Sequence, residues 1–312
     1  MKRVLVSEFM DEAAFEGFCS DFEVTYAPHL VDDRKALLNS IGKFEALIVR
    51  NRTQVDAELI SAATHLRAVG RLGVGLDNID LDFCRAREIS VLPATGANAA
   101  SVAEYVIGSA LVLVRGAYSS SDKMLAGEWP RSTLGAGGEL AGRTIGLVGF
   151  GTIARETAER ARSLGMCVAA FDPHVPAEDK AWHGVKKSTL EELFSISDIL
   201  SLHVPLIVST RHLIDESAIK KMKSTAILVN TARGGIVDEV AVVEALWNGS
   251  LGGAALDVFE TEPMTFDSAE LFKDVRNLIL TPHIAGVTDE SNVRVSTMTV
   301  RNIVNALSDQ ST

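Results

Sequence analysis

The stretch that decides the fold is TIGLVGFGTIA, residues Thr144 to Ala154. An apolar strand runs into Gly149-Phe150-Gly151, and a helix opens at once, with Ala158, Ala161 and Leu164 on one face and Gly165 at its end. Gly149 permits the tight turn, Gly151 lets the backbone approach a pyrophosphate, and the amides of Thr152 and Ile153 at the helix start face the phosphates. Ala154 replaces the third glycine, a position that serves helix packing. Asp172 ends the next strand, 21 residues after Gly151, where a carboxylate accepts both ribose hydroxyls and repels a 2'-phosphate. The sequence therefore predicts a Rossmann domain that takes NAD in preference to NADP.

Outward from this turn, strands and helices alternate. TIGLVGF, MCVAAFD, DILSLHVP, AILVNTA, GAALDVF and NLILTP read as six strands with helical crossovers. Upstream, VLVSEF, EVTYAP, EALIVR and LRAVGRLG read as four more, with helices at 11–19, 32–41, 56–63 and 81–88. The expected fold class is α/β, with two doubly wound parallel sheets: the Rossmann domain, and a smaller flavodoxin-like substrate domain. Ser101 to Ala117 reads as a helix crossing from the first to the second, and 288–307 as a last helix packed back on the first. This gives a discontinuous substrate domain, 1–98 plus 288–312, and an NAD domain, 99–287. Gly127 to Gly142, with Trp129, is the linker or arm candidate.

Three polar residues each follow a short apolar run: Arg233 in ILVNTARGGIVDE, Glu262 in GAALDVFETEP and His283 in LILTPHIAG. In an open parallel sheet, ligands sit at the carboxyl ends of the strands, so the three are expected in one pocket. A guanidinium presents paired donors to a planar carboxylate, and an imidazole exchanges protons near neutral pH when a carboxylate fixes its tautomer. His203 is expected at a strand end near the cofactor. Asp257 either orients the nicotinamide side or makes a structural hydrogen bond.

Composition excludes other classes. The chain of 312 residues carries a formal charge of −11, which disfavours a phosphate-backbone partner, and its 47% hydrophobic content with 8 prolines fits a compact protein. Cys19, Cys84 and Cys167 form no metal-ligand pattern, so no metal is expected and a reduced cytoplasmic setting fits. Glu8, Asp11 and Glu12 interrupt any signal-peptide core. The longest apolar stretch, Tyr105 to Val114, is well short of the ~20 residues that span a bilayer. Neither nucleic acid nor membrane is expected as a partner.

The ordered motifs GRTIGLVGFGTIA, SLHVPL, LVNTARGGIVDE, ALDVFETEP and LTPHIAG resemble the D-isomer-specific 2-hydroxyacid dehydrogenases. VRNRTQV, VGRLGVGLDNID and SVAEYV resemble the phosphoglycerate dehydrogenase branch in its short form. Departures are small: Ala154 and Ala285 stand where glycine is common, and PLIVST replaces the usual PLTPET type. The resemblance implies that Arg233 holds the substrate's carboxylate and keto oxygen, that His283 moves the proton, and that Glu262 pairs with His283. It implies a substrate-carboxylate cradle at Val74 and Gly75, and cofactor contacts at Val204, Pro205, Thr231, Ala232, Asp257 and Gly286. It also implies a homodimer built on an arm at about 118–142. No serine-binding regulatory domain follows Thr312, so serine feedback is not expected.

Arg50, Arg52 and Arg71 stand at strand ends of the small domain, where the substrate's far end projects. In the phosphoglycerate dehydrogenase branch the positions matching Arg50 and Arg71 contact a second anion, which points to a 3-phosphoglycerate or 3-sulfolactate type of substrate. As an alternative, these arginines solvate the rim or pair with Asp77 and Asp80. Two other functions stay open: a glyoxylate or hydroxypyruvate reductase, and an NAD-sensing binding protein of the corepressor type. Formate dehydrogenases pair glutamine with the histidine, whereas Glu262 stands here.

Overall fold

The computed structural model describes residues 1–118 and 120–308, and the chain divides into two compact units, Met1–Asn98 with the segment from Val287 onward, and Ala99–Gly286. The first unit holds β1 (Lys2–Val6), β2 (Phe22–Tyr26), β3 (Ala46–Val49), β4 (Ala68–Arg71) and β5 (Ser90–Pro93). They pair in parallel in the order β2-β1-β3-β4-β5. That is the flavodoxin-like order, with its topological switch between β1 and β3. The fifth strand is one more than the sequence reading anticipated. SVLP is short, partly exposed and ends in proline, so it has the character of an edge strand and lacks an apolar run.

Two segments read as helices, 11–19 and 32–41, take another form or other bounds. Glu12–Gly17 and Pro28–Asp32 are 3-10 turns, and the α-helix after the second runs over Arg34–Ile41, capped by the Asp33 side chain on the Ala36 amide. The helix Asp289–Ser308 packs on the β4 side of this sheet. Its Val295, Val300, Ile303 and Leu307 join Val4, Val6, Ile48 and Ala68 in one buried cluster. Gly70 makes room for it, because a Cβ there would lie 2.8 Å from Thr299 Cγ2.

The second unit holds β6 (Thr144–Val148), β7 (Cys167–Phe171), β8 (Lys186–Lys187), β9 (Ile199–Leu202), β10 (Ile227–Asn230), β11 (Gly253–Leu256) and β12 (Leu278–Leu280), all parallel. Their order, β12-β11-β10-β9-β6-β7-β8, is doubly wound, with the switch between β6 and β9. The sequence reading gave six strands; the seventh, β8, is two exposed lysines at the edge and carries no hydrophobic signal. β6, β9, β10 and β11 are almost wholly buried, as expected of strands covered on both faces. The helix Ala99–Arg115 covers one face with Val106, Ile107 and Ala110, against Ile145, Leu147 and Ala255.

β9 leads directly to His203, whose Nε2 shares a 3.0 Å hydrogen bond with the buried Ser201 hydroxyl. Burial pulls this imidazole down to about 4 from its ordinary 6.5. The unfolded chain therefore takes up a proton below pH 6.5 that the folded one refuses until about pH 4. His203 thus leaves stability untouched above neutral pH and erodes it as pH falls through that window. We expect the parent protein to lose up to about 3 kcal/mol more than His203→Gln between pH 7 and pH 4, read from urea midpoints. Parallel pH curves for the two proteins would show that the ring is not protected.

Candidate active site

In the second unit β10, β11 and β12 are neighbours in register, with Asn230 opposite Leu256 and Leu256 opposite Leu280. Their carboxyl ends therefore emerge side by side, and Arg233, Glu262 and His283 lie just beyond them. His283 Nδ1 is 2.7 Å from Glu262 Oε2, while Glu262 Oε1 accepts the Phe259 amide at 2.9 Å. The carboxylate is thus fixed by its own turn before it meets the ring. With Nδ1 bonded to the carboxylate, the opposite nitrogen, Nε2, is the one left to exchange a proton with a ligand.

Arg233 follows an extended backbone into a short turn, Gly234–Ile236, and its Nη1 donates to the Ala232 carbonyl at 2.6 Å. Asn230, fully buried at the end of β10, ties this turn down. Its amide donates to the Arg233 carbonyl at 2.8 Å, and its Oδ1 accepts the Ala232 N–H at 3.1 Å. Gly234 admits no side chain, because a Cβ would fall 1.9 Å from the Phe259 carbonyl carbon. The turn of Arg233 therefore lies directly on the turn that leads to Glu262.

His283 occupies the left-handed region, φ 57°, which a non-glycine residue adopts only when its surroundings hold it there. Asp257, 1% exposed, supplies that hold. Its carbonyl accepts the His283 N–H at 2.8 Å. Oδ1 accepts the Thr281 hydroxyl at 2.6 Å and the Ile284 N–H at 2.8 Å, and Oδ2 accepts the Ala285 N–H at 2.8 Å. Of the two readings left open for Asp257, these bonds display the structural one. Tyr105 extends the network to Thr281 at 2.6 Å, and burial raises its phenol above the usual range.

The turn after β6 fits a dinucleotide. Gly149 has φ 87°, and a Cβ on it would lie 2.5 Å from the His203 carbonyl oxygen, so strand β9 and the turn are in backbone contact. A Cβ on Gly151 would meet nothing within 4 Å, leaving the backbone open to a ligand. Gly151 is the N-cap of the helix Thr152–Ser163 and has no side chain to occupy the first-turn amides, which is where phosphates bind. Asp172 accepts the Phe150 N–H on Oδ2 and the His174 N–H on Oδ1, both at 2.8 Å. It is thereby oriented at the end of β7, with acceptor capacity left for a diol. The buried Thr231 hydroxyl has no hydrogen-bond partner among the described residues, a second position that an outside polar group would satisfy. Val204, Pro205, Ala232 and Gly286 lie in the loops beyond β9, β10 and β12.

In the first unit, the switch between β1 and β3 is occupied by a residue the sequence reading passed over. Glu8, 4% exposed, accepts the N–H groups of Arg50 at 2.9 Å, Thr53 at 2.9 Å and Arg52 at 3.2 Å. Its signal was present, an acid directly after the apolar VLVS. Asn78 adds bonds to the carbonyls of Thr53 and Arg50, so residues 50–53 are pinned from two sides. Arg50 is half-buried and donates to Asn292 Oδ1 at 3.0 Å; burial lowers its pKa, and the Glu8 charge opposes that shift. Arg71 curls over its own loop, with Nη1 2.7 Å from the Leu72 carbonyl and in the space a Cβ of Gly73 would need. Val74 is exposed and Gly75 partly so. Arg52 differs from the other two, because its guanidinium pairs with Asp32 at the surface.

Comparison with known proteins accords with this geometry. Residues 107–285 match the family model described as D-isomer specific 2-hydroxyacid dehydrogenase, NAD binding domain. The chain is 57% identical over 308 residues to an (S)-sulfolactate dehydrogenase of Chromohalobacter salexigens, covering 98% of this chain and 99% of that protein. Two relatives at 40% identity, each covering about 97–98% of this chain, are a hydroxypyruvate reductase of Thermotoga maritima and a D-3-phosphoglycerate dehydrogenase of Archaeoglobus fulgidus. The chain spans 98% of the former but only 57% of the latter. Among solved structures, a D-lactate dehydrogenase from Aquifex aeolicus complexed with NAD and lactic acid superposes with a TM-score of 0.83 at 30% identity, over 99% of this chain and 96% of that one. The chain belongs to the D-isomer-specific 2-hydroxyacid dehydrogenase family, and it is an NAD-dependent oxidoreductase of 2-hydroxy acids.

Proposed function

We propose that the protein oxidises, or forms by reduction, a three-carbon 2-hydroxy acid bearing a second anionic group at C3, with 3-sulfolactate and 3-phosphoglycerate as the leading substrates. The observation that carries the reading is the built setting of Arg50 and Arg71 at the strand ends of the first unit. A half-buried guanidinium bonded to Asn292, on a backbone that Glu8 fixes, is costly to maintain and suits a bound anion. A monocarboxylate such as lactate, or hydroxypyruvate with its neutral hydroxyl, gives such groups no second charge to meet. The likeness to an (S)-sulfolactate dehydrogenase along almost the whole of both chains supports the same choice. Arg52, paired with Asp32, drops out of the proposed anion site.

In the proposed mechanism, Arg233 holds the C1 carboxylate and also faces the C2 oxygen. During oxidation His283 Nε2 takes the proton of the C2 hydroxyl as the C2–H bond yields its hydride. Bound NAD supplies the hydride acceptor. Glu262, bonded to Nδ1, fixes the tautomer and stabilises the ring while it carries that proton. In reduction the same proton returns to the forming alkoxide. Gly149, Gly151, Thr152 and Ile153 would hold the cofactor's phosphates, Asp172 its ribose diol, and Val204, Pro205, Thr231, Ala232 and Gly286 the remainder, with Asp257 holding the loop beside it.

We further propose a cytoplasmic homodimer. Cys19, Cys84 and Cys167 are free thiols, in keeping with a reducing compartment, and no helix among the described residues is long and apolar enough to cross a membrane. Between 118 and 142, with residue 119 outside the described set, Tyr118, Leu125 and Trp129 are 67%, 88% and 74% exposed, an apolar arm suited to a second copy. Light scattering should give a species of twice 33.4 kDa at micromolar concentration; a species of 33.4 kDa alone would remove the dimer.

Two substitutions test the substrate reading. Arg71→Ala should raise KM for 3-sulfolactate or 3-phosphoglycerate by ~10- to 100-fold, the loss of one charge-assisted contact, while leaving lactate turnover nearly unchanged. Arg233→Lys should lower kcat/KM for every hydroxy acid by at least ~100-fold, because bidentate orientation is lost. An Arg71 variant that handles dianions as the parent does would place the arginines at the rim.

A further inference from the structure

Besides the His283–Glu262 pair, the second unit contains another imidazole–carboxylate pair. His212 Nε2 lies 2.7 Å from Glu260 Oε1, and both side chains are about two-thirds shielded, at 38% and 35% exposure. Nothing in the reaction assigns this pair a task. Its connections are specific, however. The His212 N–H donates to the Gly235 carbonyl at 2.8 Å, two residues beyond Arg233. Ile214 and Val237 form a parallel bridge, and the Ile214 N–H donates to the Ile236 carbonyl at 3.1 Å, so the backbone of 212–214 is laced onto the turn of Arg233. At the other end Glu260 lies two residues before Glu262, in the turn whose Phe259 N–H holds the Glu262 carboxylate.

The pair also stands in a conformation that needs a reason. His212 has φ 48°, in the left-handed region where a β-substituted residue is strained, and its segment is not a glycine turn. The Glu260 N–H is held separately by Glu239 Oε1 at 2.7 Å. Burial raises the Glu239 carboxyl above its usual range, with the charges of Glu260, Asp238 and Glu262 adding to that shift. Glu260 is therefore fixed on its backbone by one side chain and on its carboxylate by another. Contact between the two turns across Gly234 is close enough to exclude a side chain, and the His212–Glu260 pair adds a directional bond between the segments that flank it.

We infer that His212 and Glu260 form a clasp that joins the turn of Arg233 to the turn of Glu262, and so set the spacing between the group that binds the carboxylate and the pair that moves the proton. His212 acts through the turn of Arg233 and is a positioning residue. The inference rests on the proposed roles of Arg233 and Glu262, and the experiment keeps the two apart.

The test uses the full chain with His212→Ala, His212→Gln, Glu260→Ala and the double variant His212→Ala/Glu260→Ala. Hydrogen exchange of the NAD-free protein should show at least ~3-fold faster amide exchange in peptides covering 233–237 and 259–262 in each alanine variant, with β6 and the helix Thr152–Ser163 unchanged. Kinetics with NAD and whichever of 3-sulfolactate, 3-phosphoglycerate and glycerate is turned over fastest should show kcat/KM down ~10-fold in each single variant. The NAD dissociation constant should stay within twofold. The double variant should be no worse than either single one, because one interaction is lost in all three. His212→Gln, whose amide can reach where Nε2 stood, should recover most of the loss. Unchanged exchange in either turn, additive kinetic losses, or an equal loss of NAD affinity would each overturn the clasp. Arg233→Lys measured alongside separates the claims: if it is as active as the parent, the reading of the site fails, while exchange still decides whether the clasp exists.

Discussion

The arrangement depends first on the buried carboxylate of Asp257. A fully enclosed charge is costly unless hydrogen bonds surround it, and here Thr281, Ile284 and Ala285 all donate to it. Those donors come from one loop, so the cost of burying the charge becomes the force that shapes residues 281–285. His283 is held at φ 57° in the middle of that loop, a conformation the backbone would otherwise avoid by ~1–2 kcal/mol. Only with the ring so placed does Nδ1 reach Glu262. The strand order β12-β11-β10 then brings the turn of Arg233 alongside, where Asn230 ties it down.

This explains why some of the structure was legible in the sequence. The Rossmann turn declares itself because glycine is the only residue that fits: Gly149 takes φ 87°, with the His203 carbonyl in the path of a Cβ. Arg233, Glu262 and His283 are visible because each is polar at the end of an apolar strand, and period alone places strand ends in a parallel sheet. The edges were not legible. β5 is partly exposed and β8 is Lys186–Lys187, so neither carries the hydrophobic run by which a buried strand is recognised.

The supporting residues escaped for a different reason. Glu8, Asn230 and Glu260 act by accepting backbone N–H groups, or by pairing with residues distant in sequence, and neither relation leaves a spacing pattern. Asn230 was the nearest to being seen, since asparagine is depleted in strands and its place at the end of β10 asks for a reason. Arg52 shows the limit of reading by position: it shares a strand end with Arg50, but its guanidinium pairs with Asp32 at the surface, a relation that spacing does not reveal.

The half-buried Arg50 and the neighbouring Arg71 are the reason for proposing a hydroxy acid with two anionic groups as the substrate of this NAD-dependent dehydrogenase. The most direct test of that proposal is the initial rate of NADH formation with 3-sulfolactate, 3-phosphoglycerate, lactate and glycerate, each at matched concentrations with NAD and with NADP. A dianion should give the highest kcat/KM by at least ~10-fold, and NAD should be strongly preferred if the Asp172 carboxylate meets the ribose diol. Faster turnover of lactate or glycerate than of every dianion, or equal use of the two cofactors, would contradict it.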